Sequence, residues 1–180
     1  MNIVGLVGMP GSGKSEVARV FASGGYHTVR FGDITDELVK KRGLKLSEEN
    51  ERAVREELRK LHGMDAYAML NLPRIESALK MSHVVIDGLY SWEEYKFLKG
   101  KLGESLKVVA VWSPPALRYE RLRSRPVRPL TVEQALVRDY AEIENVNKGG
   151  PIAMADFTVS NSSTLQSLMQ QAENIIKVLK

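Results

Sequence analysis

A chain of 180 residues, 43% of them hydrophobic, is long enough for one domain with its own core and short for two. It has no cysteine, which removes disulfides, thiolate metal sites and cysteine nucleophiles together, and its formal net charge of +4 suits an anionic ligand or a nucleic acid without choosing between them. No apolar run approaches the roughly 18 residues of a membrane span, and the first strand-like run starts two residues after Met1, so the sequence reads as soluble and cytoplasmic.

Residues 3–7 form the short apolar run of a buried parallel strand, and residues 14–23 place Val17, Ala18, Val20 and Phe21 on one helical face before Gly24 and Gly25 stop it. Between them Gly8, Met9, Pro10, Gly11, Ser12, Gly13, Lys14 and Ser15 satisfy G-x-x-x-x-G-K-[ST], the loop that wraps nucleotide phosphates. Strand before and helix after are the context this motif needs. Its glycines let successive N–H groups point inward as an anion nest, and the helix adds its positive N-terminal end. Lys14 would reach the β- and γ-phosphates, and the Ser15 hydroxyl would hold Mg²⁺.

Residues 27–31 are β-rich and end at Gly32 and Asp33, where a parallel strand delivers its last residue to the ligand edge. A helix over 34–42 closes at Gly43. Another begins after the N-cap Ser47 and ends at His62 and Gly63, with acids in its first turn and bases in its last. Asp65 caps a third helix, running towards Lys80, which Pro73 should kink or divide. Residues 84–88 are the third strand, again ending in an acid and a glycine, Asp87 and Gly88. Ser91 and Glu94 make a capping box, and residues 107–112 are the fourth strand. The helix after Pro114 and Pro115 carries Arg118, Arg121 and Arg125 on one face, and Pro126 and Pro129 then break the chain around Arg128. Thr131 and Gln134 cap a helix whose apolar side holds Val132, Ala135, Leu136, Tyr140 and Ile143, with Arg138 and Asp139 opposite. Residues 147–151 are a loop by composition, 157–159 a fifth strand, and 165–179 the cleanest amphipathic helix.

Strands alternating with helices, several of them continuous apolar runs, mean a five-stranded parallel sheet covered on both faces, an α/β fold in three layers. One domain over 1–180 is expected, with a helical acceptor region at about 34–80 and a small lid at about 118–138. Phosphoryl transfer needs a phosphate cradle, Mg²⁺, an acid and mobile cations. Asp33 and Asp87 end strands beside the phosphate loop; either would hold Mg²⁺ through water, and Asp33 would also orient or deprotonate an acceptor hydroxyl, unless each merely caps the next helix. The arginines from 118 to 138 read either as a solvated basic face or, bracketed by prolines, as a lid closing Arg121 and Arg125 on phosphates. His27, His62 and His83 show no metal spacing and read as structural. Tyr90, Trp92 and Tyr95 are set down to helix packing ahead of an acceptor pocket.

The order of these parts resembles the nucleoside-monophosphate-kinase branch of P-loop proteins: Gly8 to Ser15, Gly32-Asp33, Asp87-Gly88, Arg121 with Arg125, and the tail from Ala155 to Asn161. Nearly the whole chain is similar to a mainly archaeal family of adenylate-kinase-related, dephospho-CoA-kinase-like proteins, through Arg42-Gly43-Leu44 and Gly63-Met64-Asp65-Ala66 as well. The resemblance implies a P-loop NTPase fold, ATP and Mg²⁺ as cofactors, Arg121 stacked on adenine, Arg125 on the phosphates and Asn161 bordering the base. Kinases acting on AMP usually carry arginines where this chain has Asp36 and Tyr90, so the acceptor half lacks expected cations and AMP should be a poor acceptor. Dephospho-CoA kinases place two acids at the second-strand turn, where this chain has Phe31 and Asp33. The expected activity is ATP-dependent phosphoryl transfer to a small-molecule acceptor, nucleotide or nucleotide-like; the alternative is a nucleotide-binding switch or accessory ATPase with an RNA or protein partner.

Overall fold

The structure, a computed structural model, describes residues 1–126 and 129–180, so Arg128 lies outside the described residues. Five strands, β1 (Ile3–Val7), β2 (Tyr26–Arg30), β3 (His83–Asp87), β4 (Leu106–Trp112) and β5 (Phe157–Ser160), pair in the order β2-β3-β1-β4-β5. All four pairings are parallel. Period-two alternation explains why β1, β3 and β4 read as continuous apolar runs: each sends alternate residues into two separate cores. Ile3 and Val7, with Ile86 and Val108, face one core; Val4 and Leu6, with Val85 and Val109, face the other.

The second core is closed by α1 (Lys14–Ser23) and α9 (Leu165–Leu179), through Val17, Phe21, Leu168, Ala172 and Ile176. The first is covered by α2 (Asp33–Lys41), α3 (Glu48–His62), α4 (Ala66–Leu79) and α5 (Trp92–Leu102). Three short-range signals in the sequence hold as geometry. Ser47 caps α3 by accepting from Asn50 N, and capping boxes start α5 at Ser91 and Glu94, and α7 (Val132–Glu144) at Thr131 and Gln134.

Two expectations are corrected and a third is narrowed. Of the two outcomes expected at Pro73, a kink or a division, division is excluded: α4 runs unbroken from Ala66 to Leu79. Proline removes one backbone donor, and burial of Tyr67, Ala68, Asn71 and Ile75 against the sheet outweighs that loss. The loop around 147–151 contains a short helix, α8 (Gly149–Ala153), with Pro151 buried in its first turn. Most consequential, the apolar side assigned to α7 faces outward. Val132, Leu136, Tyr140 and Ile143 are exposed, and the buried residues are Ala135 and Asp139.

Candidate functional site

The phosphate loop joins β1 to α1 beneath the ends of β4 and β5. Gly8 and Gly13 both have positive φ, 148° and 100°. A side chain at Gly13 would run into the Asn161 amide, and one at Gly8 into the Val111 carbonyl and the Ser12 hydroxyl. Only glycine fits either position. The loop is then fastened from the residue after β5 and from the helix that follows β4: Asn161 Nδ2 donates to Ser12 O at 2.8 Å, and Arg118 Nη1 donates to Pro10 O at 3.1 Å. Arg121 braces the same corner, donating to Ser113 Oγ and to Asn161 O, each at 3.0 Å. Arg118 is 4% exposed and forms a two-pronged pair with Asp139 of α7, at 2.9 and 2.6 Å. For Arg118 the alternative of a solvated basic face is therefore wrong: its helix, α6 (Pro115–Ser124), turns it inward. Arg125, the residue after α6, lines the cavity described below.

Lys14 Nζ donates to Gly8 O at 2.8 Å and Met9 O at 3.1 Å, so its ammonium folds over the loop. Burial first, and then the charge of Lys148, push its pKa down to about 7, with Glu142 and Asp87 pulling the other way. Glu142 of α7 pairs with Lys148, which is 2% exposed, and stands 3.7 Å from Arg138. Burial disfavours its charge, yet Lys148, Arg138 and Lys14 together hold the Glu142 carboxyl down at about 2. Two cations, Lys148 and Arg138, thus meet on one carboxylate whose charge Lys14 also feels. Asp87 is raised from the usual carboxylate range by burial, against the pull of Lys14 and Arg30.

Two observations bear on whether a polyphosphate with Mg²⁺ fits here. The Ser12 hydroxyl is buried without a hydrogen-bond partner at the centre of the loop, and the Ser15 hydroxyl next to Lys14 is exposed. An unsatisfied buried donor framed by backbone N–H groups and a lysine is the complement of an anion.

Beside the loop opens a cavity of about 870 Å³. Its lining comes from the β2–α2 corner (Arg30, Thr35, Asp36), from one face of α3, from Tyr67 and Tyr90, and from α7 with Arg138 and Glu142. Arg30 Nη1 donates to Asp33 at 2.7 Å and to Asp36 at 2.8 Å, so both acids are tied to one guanidinium. Tyr90 stacks edge-on to Tyr67 and lies 5.0 Å under the Lys148 ammonium; burial pushes its phenol above the ordinary value. Trp92 and Tyr95 stack on each other at 5.1 Å. His83 accepts from Asn2 N through Nδ1 and packs on Tyr26.

Lys14 and Ser15 open α1 after β1, Asp33 opens α2 after β2 and Asp87 ends β3, while Arg121 and Asn161 stand against the loop's other flank. The sequence reading passed over Glu142, Lys148 and the arginine face of α3, Arg52, Arg55 and Arg59. The last had a visible signal, the same i, i+3, i+7 spacing noticed at Arg118, Arg121 and Arg125. Lys148 had none, being one basic residue in a glycine-rich loop.

Parallel order, phosphate loop and flanking helices define a nucleotide-binding domain of the P-loop kinase type. A family model described as an AAA domain matches residues 4–145. A UPF0200 protein of Thermococcus kodakarensis is 38% identical over 178 residues, covering 97% of this chain and 96% of that protein. The chain belongs to this family, UPF0200, within the AAA-domain proteins. Among solved structures, shikimate kinase from Bacteroides thetaiotaomicron superposes with a TM-score of 0.61 at 13% identity, covering 99% of this chain and 98% of the other. Dephospho-CoA kinase from Campylobacter jejuni does so with 0.57 at 16%, covering 99% and 97%. At those identities the likeness is one of fold.

Proposed function

We propose that this protein is an ATP- and Mg²⁺-dependent phosphotransferase acting on a small molecule in the cytoplasm. The observation that carries the proposal is the meeting of Lys148 and Arg138 on the Glu142 carboxylate in the cavity wall, with Lys14 folded over the phosphate loop near enough to feel that carboxylate. A cluster of cations there matches the charge of a phosphoryl group in transfer. In this reading the loop backbone and Lys14 hold the donor's phosphates, while Arg121 and Asn161 border its base and Arg125 closes on the phosphates. Ser15 would hold Mg²⁺, with Asp33 and Asp87 as the acids close enough to assist, and the ion would supply charge neutralisation for the transferred phosphoryl group. Asp33 accepts the acceptor's proton, and Arg30 fixes the orientation of its carboxylate. The cavity walls exclude water and hold the acceptor.

Calorimetry with Mg-ATP on the wild type and on Lys14→Ala tests the donor half. The variant is expected to fold, to bind Mg-ATP far more weakly and to lose all phosphoryl transfer; equal affinity would reduce the loop to a structural turn. A second reading, a switch or accessory ATPase with a protein partner, draws on the exposed apolar residues of α7, Leu136, Val137, Tyr140 and Ile143. It requires ATP turnover that rises with the partner and is indifferent to metabolites.

A further inference from the structure

Charge pairing inside the cavity separates one arginine from its neighbours. Arg52 pairs with Glu56, Arg55 with Glu48 and Glu51, Arg138 with Glu142, and Arg30 with Asp33 and Asp36. Arg59, on the same wall as Arg52 and Arg55, has no carboxylate within ion-pair distance among the described residues. Its Nε is buried without a hydrogen-bond partner, and its guanidinium lies over the Tyr67 ring at 5.6 Å. Stacking on an aromatic face fixes the plane of the guanidinium and leaves its forked edge for an anion. The buried carboxyl whose charge Arg59 favours, Glu94, is pushed up to about 7 by burial, so near neutral pH it gives Arg59 at most a partial counter-charge. Unpaired charge in a cavity wall is costly unless a ligand supplies the counter-charge.

The sheet edge shows the opposite balance. Asp33 and Asp36 pair there with Arg30, and Asp87 stands opposite Arg30 in the β2–β3 register, so a second phosphate brought beside the donor's γ-phosphate would face three carboxylates. An alcohol is suited to that corner, since its proton needs a carboxylate to receive it.

We infer that the acceptor is an alcohol carrying its own anionic group, a phosphate or a carboxylate, which seats on Arg59 of α3 while the hydroxyl faces the sheet edge. This rests on the phosphotransferase reading. In the transfer the hydroxyl oxygen bonds to the γ-phosphorus of ATP, the bond from that phosphorus to the β,γ-bridging oxygen breaks, ADP leaves with that electron pair, and the hydroxyl proton passes to Asp33 and then to water. Arg59 acts at a distance from the reacting atoms, as a specificity-determining group.

The test uses the whole protein saturated with Mg²⁺ and a non-hydrolysable ATP analogue, so that the phosphate loop is filled and cannot itself capture the probe. Glycerol 3-phosphate, glycerate and glycerol are titrated by calorimetry. At least one of the first two is expected to bind, telling phosphate from carboxylate, and glycerol is expected not to. Arg59→Gln is expected to weaken the anionic probe roughly tenfold to a hundredfold, the loss of a charged hydrogen-bonded contact. Arg42→Gln, which removes a surface guanidinium paired with Glu57, leaves it unchanged. In the wild type the same probe is expected to protect Arg59 from phenylglyoxal, read by mass spectrometry, which keeps the test open should Arg59→Gln fail to fold. No binding by either anionic probe, equal binding by glycerol, or no protection of Arg59 overturns the inference. So does ³¹P spectroscopy showing efficient conversion of AMP to ADP. Failure to load the ATP analogue at all is a different outcome, which sinks the phosphotransferase reading itself.

Discussion

Lys14 carries a charge that the fold makes conditional. Its folded pKa of about 7 lies below the ordinary 10.5 because burial and Lys148 oppose the ammonium. The unfolded chain therefore binds one proton more across that window, so this contribution destabilises the empty protein most below pH 7 and fades as pH rises from 7 towards 10.5. Denaturant melts from pH 7 to 9.5 are expected to show stability rising with pH, and Lys14→Met should flatten the slope; an unchanged slope would place the titration elsewhere. A polyphosphate restores counter-charge and draws the proton back. Nucleotide binding at about pH 8 should thus take up a proton, visible in calorimetry as a heat that varies with the ionisation enthalpy of the buffer, and affinity should fall as pH climbs past 7. Glu142 gives the complementary case. Its carboxylate neutralises the cations that we assign to the phosphoryl group. Glu142→Gln leaves Lys148 buried without a charged partner, at an expected cost of about 3–5 kcal/mol, yet the freed cations should hold tripolyphosphate more tightly. The thermal shift on adding tripolyphosphate is expected to be larger in the variant than in the wild type; a smaller one would make Glu142 part of the binding surface instead of its occupant.

At the scale of the element, the strands and caps were legible because their signals are local. A continuous apolar run ending in Asp-Gly, a Ser with Glu three residues on, or glycines where only positive φ fits each act within a few residues, and β3, α5 and the phosphate loop follow from them. The face of α7 was not, and the reason is physical. The sequence reading groups Val132, Ala135, Leu136, Tyr140 and Ile143 as the apolar side with Arg138 and Asp139 opposite, but at about 100° per residue Asp139 lies beside Ala135 on the edge of that stripe. It is this edge, running on to Glu142 and Arg138, that turns inward while the larger apolar residues face out. What decides is charge held elsewhere in the chain: Arg118 waits at the loop for Asp139, and Lys148 for Glu142. A helix scored in isolation carries no record of these partners. The Arg118–Asp139 pair then becomes the pin that ties α7 to the phosphate loop through Pro10 O. Asp139→Leu alone is expected to cost about 3–5 kcal/mol, because Arg118 stays buried and unpaired, whereas Arg118→Met with Asp139→Leu should recover much of it. Chemical denaturation of the single and double variants reads this directly. Additive losses would mean that the two residues act separately.

At the scale of the whole molecule, the sheet sets the phosphate loop between a fixed flank and an adjustable one. On the β4–β5 side Arg118, Arg121, Ser113 and Asn161 are bonded to the loop or to one another. On the other side α7 and α8 present Arg138, Glu142 and Lys148 in a pairing that satisfies itself, and a γ-phosphate with its negative charge cannot share that space with Glu142 unchanged. The sequence suggested a lid of about 118–138, set by the prolines; we propose instead that α6, bonded to the loop, stays with the frame and that α7 pivots on its Arg118–Asp139 pair when nucleotide binds. Closing elements are drawn from the less stable parts of a fold. Amide hydrogen exchange is therefore expected to be slow in α6 and indifferent to Mg-ATP, but to slow markedly in α7 and α8 when nucleotide binds. Under Glu142→Gln the empty protein should exchange faster in α7 and α8, with α6 as before, because only the latch has been released. If α6 and α7 gain protection together, the two helices close as one body, and the Arg118–Asp139 pin would then carry α6 along with the lid instead of anchoring α7 to the frame.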